Sequence, residues 1–316
     1  MSKFKIRHIT KYSYEVPVRD SANQIMLYPL KDEYQEVLQQ TISITSDPQV
    51  YIHNDYFGNE VGTFTHSQPH QELIIDSRLV VVTKPRILPE DTASVADQLS
   101  ELIKLKSQPA FIDFLRQQRF DAYEEINTVV EEERCKNCTP LVSGKQFCSY
   151  VFTNFIYQKG ITTVESTTDE VWKIKSGVCQ DFAHILLVML RLMDIPARYV
   201  SGYICPNKSG MRGEGATHAW VEAYIPFYGW LGLDPTNNCV VNDAHVRLAV
   251  GKNFTDCSPV KGTYRGTSNH ALEVAVSVSY EDGRTTEGIN EVVEPEPIVS
   301  FSRNSFHRHQ EMQMQQ

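Results

Sequence analysis

The sequence predicts an α+β protein: an N-terminal β-sandwich followed by a domain in which helices pack on an antiparallel sheet. Three observations predict it. Residues 3–85 carry short β-branched segments separated by turn formers. Helical periodicity replaces them from about residue 92, and strand-like runs return after a helix over 177–193. At 316 residues the chain is roughly twice the ~150-residue domain prior, long enough for both parts.

The strand signals come first. Segments 4–9, 38–44 and 73–82 are partly alternating, and Asp47-Pro48, Asn54-Asp55 and Phe57-Gly58-Asn59 separate them. Pro85, Pro89 and Asp91-Thr92 then mark a boundary, because a stretch without N–H donors cannot continue a central strand. Val95, Leu99, Leu102, Ile103 and Leu105 recur at helical spacing, as do Val151, Phe155 and Ile156. Between them, the polar stretch 131–138 reads as a surface insertion. The helix over 177–193 opens after Ser176-Gly177 and is stopped by Asp194-Ile195-Pro196. Strands are predicted over 198–204, 217–225 and 230–234, and strict alternation over 272–280 predicts one more. These signals divide the chain into a β-domain over 1–88, a second domain over 89–260 and a tail over 282–316 expected to lack fixed structure.

Composition narrows the function. Apolar residues at 41% and charged residues at 22% describe an ordinary globular chain, and a net charge of −9 argues against nucleic acid as a partner. The most apolar run, 185–190, is closed by Arg191, whereas a membrane span needs about 20 residues. No secretory leader is visible, and seven cysteines is an odd number, so the expectation is a cytoplasmic, reduced protein without a disulfide framework. Cys135 and Cys138 have zinc-knuckle spacing but no second pair, and read as incidental surface thiols. His307-Arg308-His309 reads as part of a solvated tail. No cofactor or metal is expected.

One constellation carries chemistry. Cys179 falls in the first turn of the 177–193 helix, where free N–H groups and a partial positive charge favour a thiolate. A lone cysteine is more often a buried, inert side chain. Here Gly177-Val178 precedes it, and His218 and Asp234 follow in the order a cysteine nucleophile would use. The strands 217–225 and 230–234 flank the turn-forming Pro226-Phe227-Tyr228-Gly229, so they are read as a hairpin. A register that pairs 234 with 218, or with 220, keeps His218 and Asp234 on one face and within hydrogen-bond reach. Pairing 234 with 219 would separate them. With the pair formed, Asp234 fixes the imidazole and Cys179 attacks an amide carbonyl to give a thioester.

Neighbouring residues have weaker readings. Asp181 serves the loop near Cys179, pairs with Arg198, or is simply an acid favoured in a first helical turn. Trp220 either shields the Cys–His pair or packs in the core. Tyr157 can donate a hydrogen bond near the oxyanion. His184, five residues past Cys179, points off its face and reads as structural. A metal set of Cys179, His184, His218 and Asp234 has no ligand-pair motif behind it.

The ordered blocks Gly177-Val178-Cys179-Gln180-Asp181-Phe182-Ala183-His184, Ile195-Pro196-Ala197-Arg198-Tyr199-Val200-Ser201-Gly202-Tyr203, Thr217-His218-Ala219-Trp220 and Trp230-Leu231-Gly232-Leu233-Asp234-Pro235-Thr236-Asn237 resemble the core of the transglutaminase-like superfamily. Tyr157-Gln158-Lys159-Gly160-Ile161-Thr162 resembles its leading segment. Tyr12-Ser13-Tyr14, Leu27-Tyr28-Pro29 and Asp55-Tyr56-Phe57-Gly58-Asn59 resemble the β-domain of bacterial members. The resemblance implies a papain-like catalytic fold with Cys179 as nucleophile, His218 as general base and Asp234 as its orienter. It also implies that the strand within 262–281 returns to the N-terminal domain. The stretch 131–148 has no match in that pattern.

Bacterial members of this kind are described as cysteine proteases, and the wider superfamily includes protein cross-linkers and deglycosylating amidases. Hydrolysis of a protein or peptide substrate is therefore the expected activity. Acyl transfer to amines, a silent binding module and a zinc-stabilised scaffold are the alternatives. Substrate determinants are expected in the Gly/Asn-rich segment 205–216.

Overall fold

The computed structural model describes residues 1–117, 119–163, 166–205, 211–212, 217–266 and 269–281. The expected tail over 282–316 lies outside them, as does most of the segment 205–216.

The N-terminal half is built on one long strand, β1 (Ser2–Ile25), followed by β2 (Gln35–Ile44), β3 (Tyr51–Asn54), β4 (Glu60–His66) and β5 (His70–Thr83). All pairings are antiparallel, in the order β2-β5-β1-β4-β3. The sandwich expected from the sequence is one curled sheet. The first half of β1 pairs with β5, and its last five residues, Ser21 to Ile25, pair with β4. The register with β5 shifts between Ser13 and Val18, and Pro17 sits in that gap. Proline has no N–H to give a ladder, so it belongs where the strand changes partners. Phe4, Ile6, Tyr14, Val18 and Ile25 point inward from β1 and meet Phe64, Leu73, Ile75, Leu79 and Val81.

Helices α1 (Val95–Leu105), α2 (Pro109–Leu115), α3 (Tyr123–Glu133) and α4 (Pro140–Asn154) follow. Ser94 caps α1 through the Asp97 N–H, and Thr139 caps α4 with proline at the first position, as helix starts prefer. The inner face of α1 is rotated from the sequence expectation. Leu99 and Ile103 are exposed, while Gln98 is buried and donates to Asp91 Oδ1 (2.9 Å) and the Ala93 carbonyl (3.1 Å). Two local hydrogen bonds satisfy the amide nitrogen, while Oε1 is buried without a partner among the described residues.

The stretch read as an insertion belongs to the helical layer. Glu131 to Glu133 are the last turn of α3, and the tight connection to α4 brings the Cα atoms of Cys135 and Cys138 to 5.4 Å, where they form a disulfide. They are therefore bonded to each other and are not separate surface thiols. Helix α4 packs closely enough on the second sheet that a Cβ at Gly144 would lie 3.0 Å from Leu233.

The remaining elements are β6 (Ile156–Tyr157), α5 (Thr168–Ile174), β7 (Ser176–Gly177), α6 (Cys179–Leu192), β8 (Ala197–Ile204), β9 (Thr217–Ile225), β10 (Gly229–Asp234), β11 (Cys239–Val240), β12 (His245–Gly251), α7 (Phe254–Cys257), β13 (Val260–Arg265) and β14 (His270–Tyr280). The second sheet runs β11-β10-β9-β8-β12. Helix α6 buries Phe182, Ile185, Leu186 and Met189 against Ala197, Tyr199, Ala219, Val221 and Ala223. From the other side, Tyr203, Val246 and Leu248 join the core of the N-terminal sheet. Strands β13 and β14 leave the second domain and pair with β1, so both ends of the described chain build the first sheet.

The two parts are also joined by buried charge. Glu222, fully buried, accepts two hydrogen bonds from Arg198 at 2.8 and 2.6 Å and lies 3.6 Å from Arg247 and 3.9 Å from Arg86. Arg247 in turn pairs with Asp32 of the N-terminal domain. Among the described residues no helix is long and apolar enough to cross a membrane.

Candidate active site

Cys179 is the first residue of α6, and Asp181 explains why the helix begins there. Val178 is extended, and the Asp181 carboxylate folds back so that Oδ2 accepts the Val178 N–H at 2.8 Å and the Thr162 hydroxyl at 2.7 Å. A Cβ at Gly177 would stand 2.4 Å from that oxygen, so the cap requires glycine at 177. Burial raises the Asp181 carboxyl, opposed by these two hydrogen bonds. Of the readings weighed for Asp181, the structure shows the cap; Arg198 pairs with Glu222 instead.

Gly177→Ala is expected to cost about 1–3 kcal/mol of stability through this overlap. Asp181→Ala is expected to cost about 1 kcal/mol through the lost cap. In the double variant the overlap is gone, so its cost should fall below the sum. Urea unfolding of the four proteins checks this, and strictly additive costs would show that the two positions do not share a contact.

Tyr157 is tied beside the same segment. Strands β6 and β7 pair in parallel, with Tyr157 opposite Gly177 and the Gln158 N–H donating to the Gly177 carbonyl at 2.9 Å. Burial, reinforced by Cys179, pushes the Tyr157 hydroxyl up to about 12, so it stays protonated and able to donate.

The β9–β10 hairpin closes through Pro226 to Tyr228, with Phe227 and Gly229 at positive φ. Its ladder pairs Leu231 with Ala223 and Leu233 with Val221, a register that carries Asp234 opposite Trp220 and diagonal to His218 on the same face. His218 Nε2 and Asp234 Oδ2 are 2.9 Å apart, both side chains fully buried. Nδ1 of His218 is buried with no hydrogen-bond partner among the described residues, and Cys179 is the group that acts on this ring besides Asp234.

Asp234 is held by more than His218. Oδ2 also meets the Asn237 amide at 2.8 Å and His245 Nε2 at 3.3 Å, while Oδ1 accepts the N–H groups of Thr236 (2.9 Å) and Asn237 (3.3 Å). Burial alone would raise this carboxyl; His218 and His245 outweigh it and hold Asp234 well below the usual carboxylate range. The two histidines diverge. Burial would lower His218, but Asp234 and Cys179 outweigh it and raise the imidazole to about 10. For His245 burial prevails over Asp234, and the ring is held neutral. His245 Nδ1 lies 3.4 Å from the Asn242 N–H and 3.3 Å from Asn242 Oδ1, so Asn242 and Asp234 hold the ring from its two nitrogens.

Trp220 is fully buried, stacked 6.1 Å from His218 and edge-on to His245 at 5.2 Å, in a core with Val200, Val241 and Val250. The residue is packed core that also touches both imidazoles. His184 lies apart: its Nε2 accepts the Phe254 N–H at 3.2 Å, and burial lowers its ring to about 4. The four-residue metal set weighed from the sequence is therefore not assembled. Asp234, Cys239 and His245 do place one ligand atom each within 4.8 Å of one another. Both oxygens of Asp234 are already taken by N–H donors, so this carboxylate serves the histidines.

Among the free thiols, burial pushes up Cys148, Cys205 and Cys257, and it drives Cys239 to about 12 with help from Asp234; Cys179 is half-exposed at the helix start. Sequence reasoning missed His245 and Asn237 as partners of Asp234. Asn237 carried a local signal, because Asp followed by a polar residue at i+3 favours a side-chain-capped turn. His245 carried none, since it reaches Asp234 only after the chain has passed through β11.

The profile of the transglutaminase-like superfamily matches residues 132–235, and that of the bacterial transglutaminase-like N-terminal region matches residues 4–82. The chain belongs to the transglutaminase-like superfamily. The first match begins at 132, so the 131–148 stretch, unmatched in the sequence reading, falls within that match but for its first residue.

An uncharacterized protein of Mycobacterium leprae is 32% identical over 292 residues, covering 88% of this chain and 99% of that one. A protein-glutamine gamma-glutamyltransferase of Pseudomonas aeruginosa is 36% identical over 80 residues, 24% of this chain and 12% of that protein. The solved structure of a "Putative Cysteine Protease" from Cytophaga hutchinsonii superposes with a TM-score of 0.71 at 20% identity, covering 90% of this chain and 92% of that one. That likeness establishes the shared fold, with the curled N-terminal sheet preceding the transglutaminase-like core.

Proposed function

We propose that this superfamily member is a cysteine hydrolase that cleaves amide or peptide bonds through Cys179, His218 and Asp234. The observation that carries the reading is the buried His218–Asp234 pair, whose unpartnered Nδ1 is left for the thiol at the start of α6. The Cys179 sulfur attacks the substrate carbonyl carbon, and the N–H groups of the first helical turn, including that of Cys179, hold the oxyanion. Tyr157, kept protonated, is a further donor on that side. His218 delivers its proton to the departing amine as the C–N bond breaks, leaving a thioester. Water then attacks the thioester, His218 takes its proton, and the acid and the thiol are released. His245 acts through Asp234 as a neutral donor that fixes the carboxylate without competing for the charge.

Transfer to an amine is the second reading, favoured by the Pseudomonas aeruginosa relative named as a glutamyltransferase. One experiment separates them. The protein is incubated with casein and a fluorescent primary amine, and peptide release and fluorescence incorporation are followed together. New N-termini without incorporation support hydrolysis. Incorporation without cleavage supports transfer, and neither signal, with Cys179 unreactive to iodoacetamide, returns the chain to the binding-module reading.

A further inference from the structure

We propose that Arg212 recognises an anionic group on the substrate, a carboxylate close to the scissile amide; the proposal rests on the reading of Cys179 as nucleophile. Arg212 is exposed, yet its backbone is fixed. Its N–H donates to Asn237 Oδ1 at 2.7 Å, and Asn237 Nδ2 reaches back to its carbonyl at 3.2 Å. The same Nδ2 bonds Asp234 Oδ2 at 2.8 Å, so one amide sets the place of Arg212 relative to the buried pair.

The side chain is also placed. Its guanidinium lies over the Phe152 ring at 4.7 Å and 6.0 Å from the centre of the Tyr157 ring. Tyr157 lies opposite Gly177, two residues before the thiol, so the cation stands on the Cys179 side of the ring; the Tyr157 hydroxyl, raised first by burial and then by Cys179, is lowered by Arg212. A guanidinium seated over an aromatic ring still has N–H groups to offer a planar, two-oxygen partner. Among the described residues no carboxylate takes that edge, whereas Arg86, Arg198 and Arg247 are all committed to acids. On a chain of net charge −9, a cation next to Tyr157 with no acid on it among the described residues favours an acidic peptide or another carboxylate-bearing amide.

The test needs no knowledge of the natural substrate. Cys179 is alkylated with iodoacetate and with iodoacetamide under matched conditions, and the ratio of the two rates is taken from peptide mapping. The ratio cancels any change in the thiol itself, and the attraction of the His218 imidazolium is common to all variants. Arg212→Gln is expected to lower the ratio about 3- to 10-fold and Arg212→Glu further, with Arg212→Lys restoring part of it. Raising the salt to about 1 M should shrink the difference. An equal ratio in wild type and Arg212→Gln overturns the proposal and leaves Arg212 as a cover for Phe152. Failure of the underlying reading is distinguishable. It would appear as alkylation of Cys179 that His218→Ala does not slow, whatever the ratio.

Discussion

Cys179→Ala is expected to lower amide hydrolysis by about 10⁴-fold or more with only a small loss of stability. Alanine suits the first turn of a helix, and the thiol is half-exposed, so little packing is lost. The loss is chemical. Without sulfur no thioester forms, and His218 loses one of the two groups that keep it charged. Cys179→Ser should fall nearly as far, because a hydroxyl is a far weaker acid than a thiol and the ring is tuned to hold its proton. The measurement is kcat/KM on a fluorogenic peptide amide beside a thermal melt. Retention of more than about 1% of activity by the alanine variant would sink the nucleophile assignment.

Asp234→Asn is expected to cost about 10²- to 10⁴-fold in kcat, with a smaller change in KM. The asparagine amide turned toward His218 offers an N–H where the carboxylate accepted one. The ring must then expose Nε2 as an acceptor and carry its proton on Nδ1, the nitrogen left for Cys179. The pH dependence follows from the same pair. His218 is raised to about 10 in the fold, so its stabilising charge is fully present below about 6.5 and is lost as pH climbs toward 10. Asp234 is depressed, so its contribution is present above about 3.9 and is lost as pH falls below that. The melting temperature of the wild type should therefore decline between pH 6.5 and 10 more steeply than that of Asp234→Asn. Parallel curves would mean that the pair carries no charge in the folded protein.

Local patterns made much of the architecture readable. Alternation over 272–280 marked β14, and the glycine before Cys179 with the proline at 196 bounded α6. The turn at Pro226 put His218 and Asp234 on a hairpin, and same-face placement needed only one of two registers. Periodicity cannot choose between them, because the choice depends on how Leu231 and Leu233 pack beneath α6 and α4. The rotated face of α1 shows the same limit. Gln98 looks like a surface residue until Asp91 and Ala93 come within reach.

The sequence by itself determined the fold class, the helix that opens on Cys179 and the hairpin that joins His218 to Asp234. Each rests on residues a few positions apart, where spacing and turn chemistry act directly. Tertiary structure decided what distant segments do together. It curled one 24-residue strand through both halves of the first sheet, brought His245 onto Asp234 after β11, and set Arg212 over Phe152. Those contacts join positions eleven or more residues apart, and only the packing of the whole chain specifies them.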